Sequence, residues 1–151
     1  MSDTILRQHA DPGWIAVVRE TIPWNELSRR LRPMFDAVYV AVRAGRLVPH
    51  GHNVVVYRQI RPDRAAVEAG IQVAGSFADF DRIHCSQTPG GPVASVEHIG
   101  PYHLLSATHQ AVIRWCADQG ATPAGIQWEI YGDWDDDPAR LRTRVFHLLA
   151  E

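Results

Sequence analysis

The order of elements in this sequence repeats once, and that repeat limits the folds open to the chain. Residues 5–9 have the character of a short strand, Asp11-Pro12-Gly13 supplies turn chemistry, and residues 14–19 form a second strand. From 24 to 44 the apolar residues Leu27, Leu31, Met34, Phe35, Val38 and Val42 recur at steps of three and four, the spacing of one buried helix face. Pro33 falls inside that run. A proline there removes a backbone donor and crowds the preceding turn, so the spacing predicts a kink, or a longer helix that begins at Pro33. Gly45 ends the helix, 49–53 reads as a loop, and 54–59 reads as a strand. Arg61-Pro62-Asp63 turns the chain, 67–74 returns it as the second arm of a hairpin, and 75–81 is a linker.

A shift of 78 residues then puts Ile5 on Ile83, Ala16 on Ala94, Val18 on Val96, Pro23 on Pro101 and Leu27 on Leu105. After a shortened loop, a shift of 74 puts Tyr57 on Tyr131 and Ile71 on Val145. Each coincidence alone is worthless, but together they preserve the order strand, turn, strand, helix, hairpin. Residues 93–98 form the strand, and Pro101 suits a first helical position. Leu105, Thr108, Val112 and Trp115 trace the buried stripe, Gly120 caps the helix, and 141–149 is the final strand. A period this long is not that of a solenoid. It implies two related halves, about 3–75 and 81–150, closing into one domain over residues 1–151. The fold class that follows is α+β: a pseudo-twofold tandem of two β-α-β-β modules with antiparallel sheets.

Within the second half, residues 125–131 read Gly-Ile-Gln-Trp-Glu-Ile-Tyr and place one carboxylate, Glu129, inside an otherwise apolar strand. Alternation puts Trp128 and Ile130 on one face and Gln127, Glu129 and Tyr131 on the other. Such an acid is either a paired structural charge, with Arg142 or Arg144 as the strand arginines in reach, or the polar centre of a pocket. A carboxylate in a low-dielectric pocket loses hydration, which suits it to hold a lipophilic cation or to exchange protons with a substrate.

Composition narrows the partners. A chain of 151 residues with 46% hydrophobic and 21% charged residues is an ordinary globular protein. A formal net charge of -2 gives no electrostatic reason to bind nucleic acid or an anionic membrane. The clusters Arg29, Arg30, Arg32 and Arg140, Arg142, Arg144 read as solvated faces. Two cysteines, Cys85 and Cys116, without metal-type spacing suit a reducing compartment, and Met1-Ser2-Asp3-Thr4 starts no signal segment, so the expected location is the cytoplasm. His50-Gly51-His52 lacks a third ligand, the acidic run 135–137 reads as a hairpin turn, and no phosphate-cradling glycine loop appears. No metal and no cofactor are expected.

Longer-range patterns carry a family resemblance. Gly91-Pro92-Val93-Ala94, His98-Ile99-Gly100-Pro101-Tyr102 with Leu105, then Trp115, Gly120 and Gly125, Trp128-Glu129-Ile130-Tyr131 and Arg142-Thr143-Arg144-Val145 resemble the GyrI-like (gyrase-inhibitory-protein-like) effector-binding family. The first half resembles it through Ile22-Pro23-Trp24, Pro33 and residues 54–57. The resemblance implies two strand-helix-strand-strand modules whose sheets form a concave cleft for an organic ligand, and it puts the family's pocket acid at Glu129. Members serve as sensing domains of multidrug-responsive activators, as free-standing small-molecule binders and, in one bacterial case, as an inhibitor of DNA gyrase. A subset resembles hydrolases of cyclopropane-containing toxins in which the pocket glutamate takes part. Sensor versions carry a DNA-binding domain ahead of this module, whereas here the first module strand begins within a few residues of the start. Any transcriptional role is therefore expected to pass through a protein partner, a regulator or gyrase, and not through direct DNA contact.

The resemblance and the alternation together give a candidate lining. Tyr131 shares the face of Glu129, Tyr57 holds the matching place in the first half, and Tyr102 opens the second helix beside the hairpins. Tyr39, Trp14 and Trp134 are further candidates, with core or rim packing as the alternative, which is also the reading for Trp24. The leading expectation is a binder of an amphipathic, cationic or aromatic small molecule around Glu129. Its alternative is a hydrolase using Glu129 as general acid and base with Tyr131 positioning water or substrate, and a third is a protein-interaction module.

Overall fold

Strand alternation gives the second strand two buried faces, whereas the first strand is exposed. In the computed structural model, which describes residues 4–151, β1 (Leu6–Ala10) is followed by β2 (Trp14–Pro23), where Ala16 and Val18 point to one face and Ile15 and Val17 to the other. Residue 3, where the first half-repeat was expected to begin, and most of the Met1-Ser2-Asp3-Thr4 start lie outside the described residues. A 3-10 turn (Trp24–Glu26) leads into α1 (Leu27–Arg43), then β3 (Pro49–Ile60) and β4 (Arg64–Val73). The second half supplies β5 (His84–Gln87), β6 (Gly91–Ile99), a 3-10 turn (Tyr102–Leu104), α2 (Leu105–Asp118), β7 (Pro123–Tyr131) and β8 (Arg142–Leu149).

Among the described residues eight strands form one antiparallel sheet in the order β1-β6-β8-β7-β3-β4-β2-β5. Exchanging β1 with β5, β2 with β6, β3 with β7 and β4 with β8 returns the same order read backwards. The sheet is therefore pseudo-twofold symmetric about the β3–β7 seam, as the repeat predicts. In that seam Val55 lies opposite Glu129, and the two differ by the 74-residue shift, so the axis passes through this pair. Each half lends its first strand to the other: β1 pairs with β6, and β5 with β2.

The connections force a curl. Three residues join β1 to β2, yet these strands stand six places apart in the sheet. Six flat spacings would span ~29 Å, and such a link reaches about 14 Å. The link 88–90 between β5 and β6 poses the same problem. The sheet resolves it by bending until its edges approach, and there the β2–β5 ladder continues one pair further, the Gly13 N–H donating to Thr88 Oγ1 (3.0 Å) and the Thr88 N–H to the Gly13 carbonyl (2.9 Å). Inside that bend lies an apolar cluster including Ile15, Val17, Val54, Val56, Val93, Trp128 and Phe146. On the opposite face α1 packs over β2 and β4, and α2 over β6 and β8. The central strands β7 and β3 lie between the two helices.

Several local expectations change. α1 runs through Pro33 without a break. Pro33 and Arg29 are both exposed, on the solvent side of the helix, where the backbone bond that proline removes can be replaced by water. Residues 49–53 belong to β3, which pairs with β4 across a register shift. Pro101 precedes the helix in extended conformation and does not occupy its first turn. Ile71 corresponds to His147, not Val145, because Asn53 pairs with Ile71 as Gln127 pairs with His147. Gly45 does end α1, at φ +76°, with the Arg46 N–H bonded to the Ala41 carbonyl (3.0 Å). Among the described residues no helix is long and apolar enough to cross a membrane.

Candidate functional site

Glu129 sits on the helix-side face of β7 beside the symmetry axis and is 4% exposed. The antiparallel register puts Val145 opposite it, so Arg142 and Arg144 project to the other face. Neither arginine pairs with the acid. Arg142 reaches Glu97 (2.7 Å) and Arg144 stacks over Phe146, which removes the strand-arginine reading.

Its partners come from elsewhere. Tyr131 Oη donates to Glu129 Oε1 (2.6 Å), and His109 Nε2 lies 2.7 Å from Oε2. His109 Nδ1 is 2.8 Å from His147 Nε2 on β8 and 3.2 Å from the Gln127 amide nitrogen. The result is a buried hydrogen-bonded chain, Tyr131–Glu129–His109–His147, that crosses from β7 to α2 and on to β8. His109 reaches it because the buried stripe of α2 is Leu105, His109, Val112 and Cys116. The expected stripe was out of phase by one residue at two positions: Thr108 and Trp115 are half-buried and flank the true face. Neither His109 nor His147 was a sequence candidate. The four-residue step from Leu105 to His109 and the three-residue step on to Val112 were the available signal.

Electrostatics fix several protonation states. Burial, reinforced by the Glu129 charge, raises the Tyr131 and Tyr57 hydroxyls well above the usual phenol range, so both stay protonated and Tyr131 remains a donor. Burial also raises Tyr102. His147 is pushed down to about 3 by burial and then by His109, so it is neutral near pH 7.

Above this chain lies a cleft of about 810 Å³, within the range of roughly 300–1,000 Å³ that suits a drug-sized ligand. It is lined chiefly by Leu31, Phe35 and Tyr39 of α1, by Tyr102, and by Tyr131 and Trp134. Tyr102 and Phe35 rings stand edge-on to Tyr131, at 5.3 and 6.5 Å between centroids. Glu129 lies beneath Tyr131 and not in the open wall. Tyr57 is also below the floor, stacked on Trp24 (6.0 Å) and edge-on to His109 (6.5 Å). Tyr39 bonds Asn53, and Trp134 stands at the rim, 73% exposed, with Nε1 bonded to Asp136 (3.1 Å). His52, half of the His50-Gly51-His52 pair, bonds Asp133 (2.8 Å) at the same rim. Trp14 is elsewhere, opposite Gln87 where β2 meets β5, and takes no part in this cleft.

No protein-family model and no curated protein matches the chain. Solved structures do. The C-terminal domain of EcmrR superposes with a TM-score of 0.82 at 17% identity, over 100% of this chain and 99% of that one. SAV2435 bound to tetraphenylphosphonium gives 0.70 at 12% identity, over 99% and 94%. A hydrolase encoded by lin2189 from Listeria innocua gives 0.63 at 9% identity, over 97% and 91%. With two symmetric modules, one curled sheet and these neighbours, the chain has a GyrI-like fold.

Proposed function

We propose that this protein binds a small amphipathic organic molecule, cationic or aromatic, in the cleft between α1 and the β3–β7 seam. One observation carries the reading. A buried carboxylate with no arginine or lysine partner lies directly under an aromatic cleft of ligand size. A lipophilic cation would supply the missing fixed positive charge, and the tyrosine and tryptophan rings would cover its apolar body, each well-placed ring adding roughly 0.5 to 2 kcal/mol. The likeness in fold to SAV2435, solved with tetraphenylphosphonium, supports the same ligand chemistry. Because Glu129 lies behind Tyr131, binding includes a turn of that ring away from the carboxylate.

Titration calorimetry with lipophilic cations and neutral aromatics tests this reading. Glu129→Gln should weaken cations by about tenfold or more and leave neutral aromatics unchanged. Equal cation affinity in both proteins would remove Glu129 from the site.

A second reading is a hydrolase. Its support is the hydrogen-bonded chain itself, in which Glu129 could take a proton while Tyr131 orients substrate, together with the likeness in fold to the Listeria innocua hydrolase. Mass spectrometry after incubation with electrophilic cyclopropanes would show water added to the substrate, and a panel without such products would exclude it.

A further inference from the structure

Two contacts of His109 define a proton count. Between His109 Nε2 and Glu129 Oε2 (2.7 Å) the only proton available to make a hydrogen bond is the one on nitrogen when the acid is ionised. Between His109 Nδ1 and His147 Nε2 (2.8 Å) one further proton is shared. His147 is neutral, so in that contact its Nε2 acts as the acceptor when His109 is an imidazolium. The Gln127 amide beside Nδ1 can present either its oxygen or its nitrogen, and accommodates both states.

Among the described residues Glu129 has no other counter-charge in contact. Facing the His109–Glu129 contact are Tyr131 and Gln127 from β7, His147 from β8, Tyr57 from β3, and Tyr102 from the turn before α2. His98 on β6 is turned to Thr108 (2.7 Å) and the Pro101 carbonyl (3.0 Å). From α1 the nearby residues are Leu31 and Phe35, and its one cation on the cleft, Arg32, is not bonded to the acid. The tyrosines are neutral, so His109 is the group in contact with Glu129 that is able to carry a positive charge.

We propose that the cleft takes up an organic cation in exchange for a proton, with His109 as the residue that sets this exchange. The cation replaces the imidazolium as counter-ion to Glu129. As it enters, the Nδ1–H bond of His109 breaks, that proton passes to Nε2 of His147, and His147 gives up its own Nδ1 proton to solvent. His109 keeps Nε2–H and its bond to Glu129. One proton leaves for each cation bound, and affinity for cations rises by about tenfold per pH unit wherever the empty protein holds that proton. Neutral ligands leave the pair intact and bind without such a slope.

This inference rests on the cation-binding reading above, and one experiment separates the two. Tetraphenylphosphonium is titrated into the full chain by calorimetry between about pH 5 and 8, where a histidine can change charge, in phosphate and in Tris, whose ionisation heats differ. The difference in heat counts protons. Release of about one proton per cation is expected, and none for neutral triphenylphosphine oxide. His109→Gln should release none and should bind the cation more tightly than wild type at the acid end, because no proton has to leave. Binding by wild type without proton release overturns the exchange and leaves the cleft assignment standing. Loss of cation binding in a folded His109→Gln, or undiminished proton release from it, also overturns it. If wild type gives no heat with any lipophilic cation, the cation reading itself fails. Should His109→Gln not fold, by circular dichroism, the wild-type proton count decides alone.

Discussion

The two halves share one backbone plan and differ at its centre. Where the first half places Leu31, Val55 and Ile71, the second places His109, Glu129 and His147. The flanking aromatics stay matched: Trp24 stacks on Tyr57 in one half as Tyr102 packs on Tyr131 in the other. The first half therefore shows that this position can be filled by ordinary apolar packing. The polar chain of the second half is not needed to make the fold, which is the reason to assign it a job.

The largest expected effect comes from erasing the difference. Glu129→Val alone strands the His109 Nε2–H in the core, and breaking a buried pair in this way costs about 3 kcal/mol or more. Replacing all three residues by their first-half counterparts, His109→Leu, Glu129→Val and His147→Ile, removes the stranded imidazoles and carboxylate together and leaves only the Tyr131 hydroxyl and the Gln127 amide to find new partners. Chemical denaturation should then return a stability within about 2 kcal/mol of wild type, while cation binding is lost. If the triple variant is as unstable as the sum of its single changes, the polar chain is a structural requirement and the comparison fails.

A smaller effect concerns acid. His147 stays neutral in the folded protein down to about 3, whereas an unfolded histidine protonates below about 6.5. Between those values the unfolded chain binds the extra proton, so stability is full above the upper limit and falls as pH drops. The slope reaches at most about 1.4 kcal/mol per pH unit. His147→Ile should flatten that part of the profile measured by urea unfolding from about pH 4 to 7. An unchanged slope would place the acid sensitivity at another group.

What could be read from the sequence depended on distance along the chain. Periodicity located the helices and strands, and alternation put Glu129 on the face of Tyr131, because both are local properties. His109 escaped because one residue of helix phase is a rotation of about 100°, enough to exchange it for Thr108 on the buried stripe. His147 escaped because its contact with His109 joins α2 to β8, and nothing near Phe146 or Leu148 marks that strand position as polar. The exchange of β1 and β5 between the halves was equally hidden: a repeat shows that two units exist, but not which unit each edge strand pairs with. Pro33 misled only as to a second helix beginning there, because α1 runs on through this exposed position and its apolar stripe Met34, Val38 and Ala41 stays buried on one face.

The smallest effect tests the comparison two residues along the strands from the axis pair. Thr143 on β8 is fully buried, and among the described residues its Oγ1 has no hydrogen-bond partner. It lies opposite Tyr131 as Val67 lies opposite Tyr57, so the first half fills the same place with the apolar residue of like shape. A buried hydroxyl without a partner costs about 1–3 kcal/mol, which Thr143→Val removes without changing volume. Thermal unfolding should show the variant more stable by about 1 kcal/mol, a shift of roughly 2–4 °C for a domain of this size. Cation affinity should not move. A loss of stability would instead mean that the hydroxyl is satisfied by a bound water, and that the polar character of the second half extends past the His109–Glu129–His147 chain to the strand beneath Tyr131.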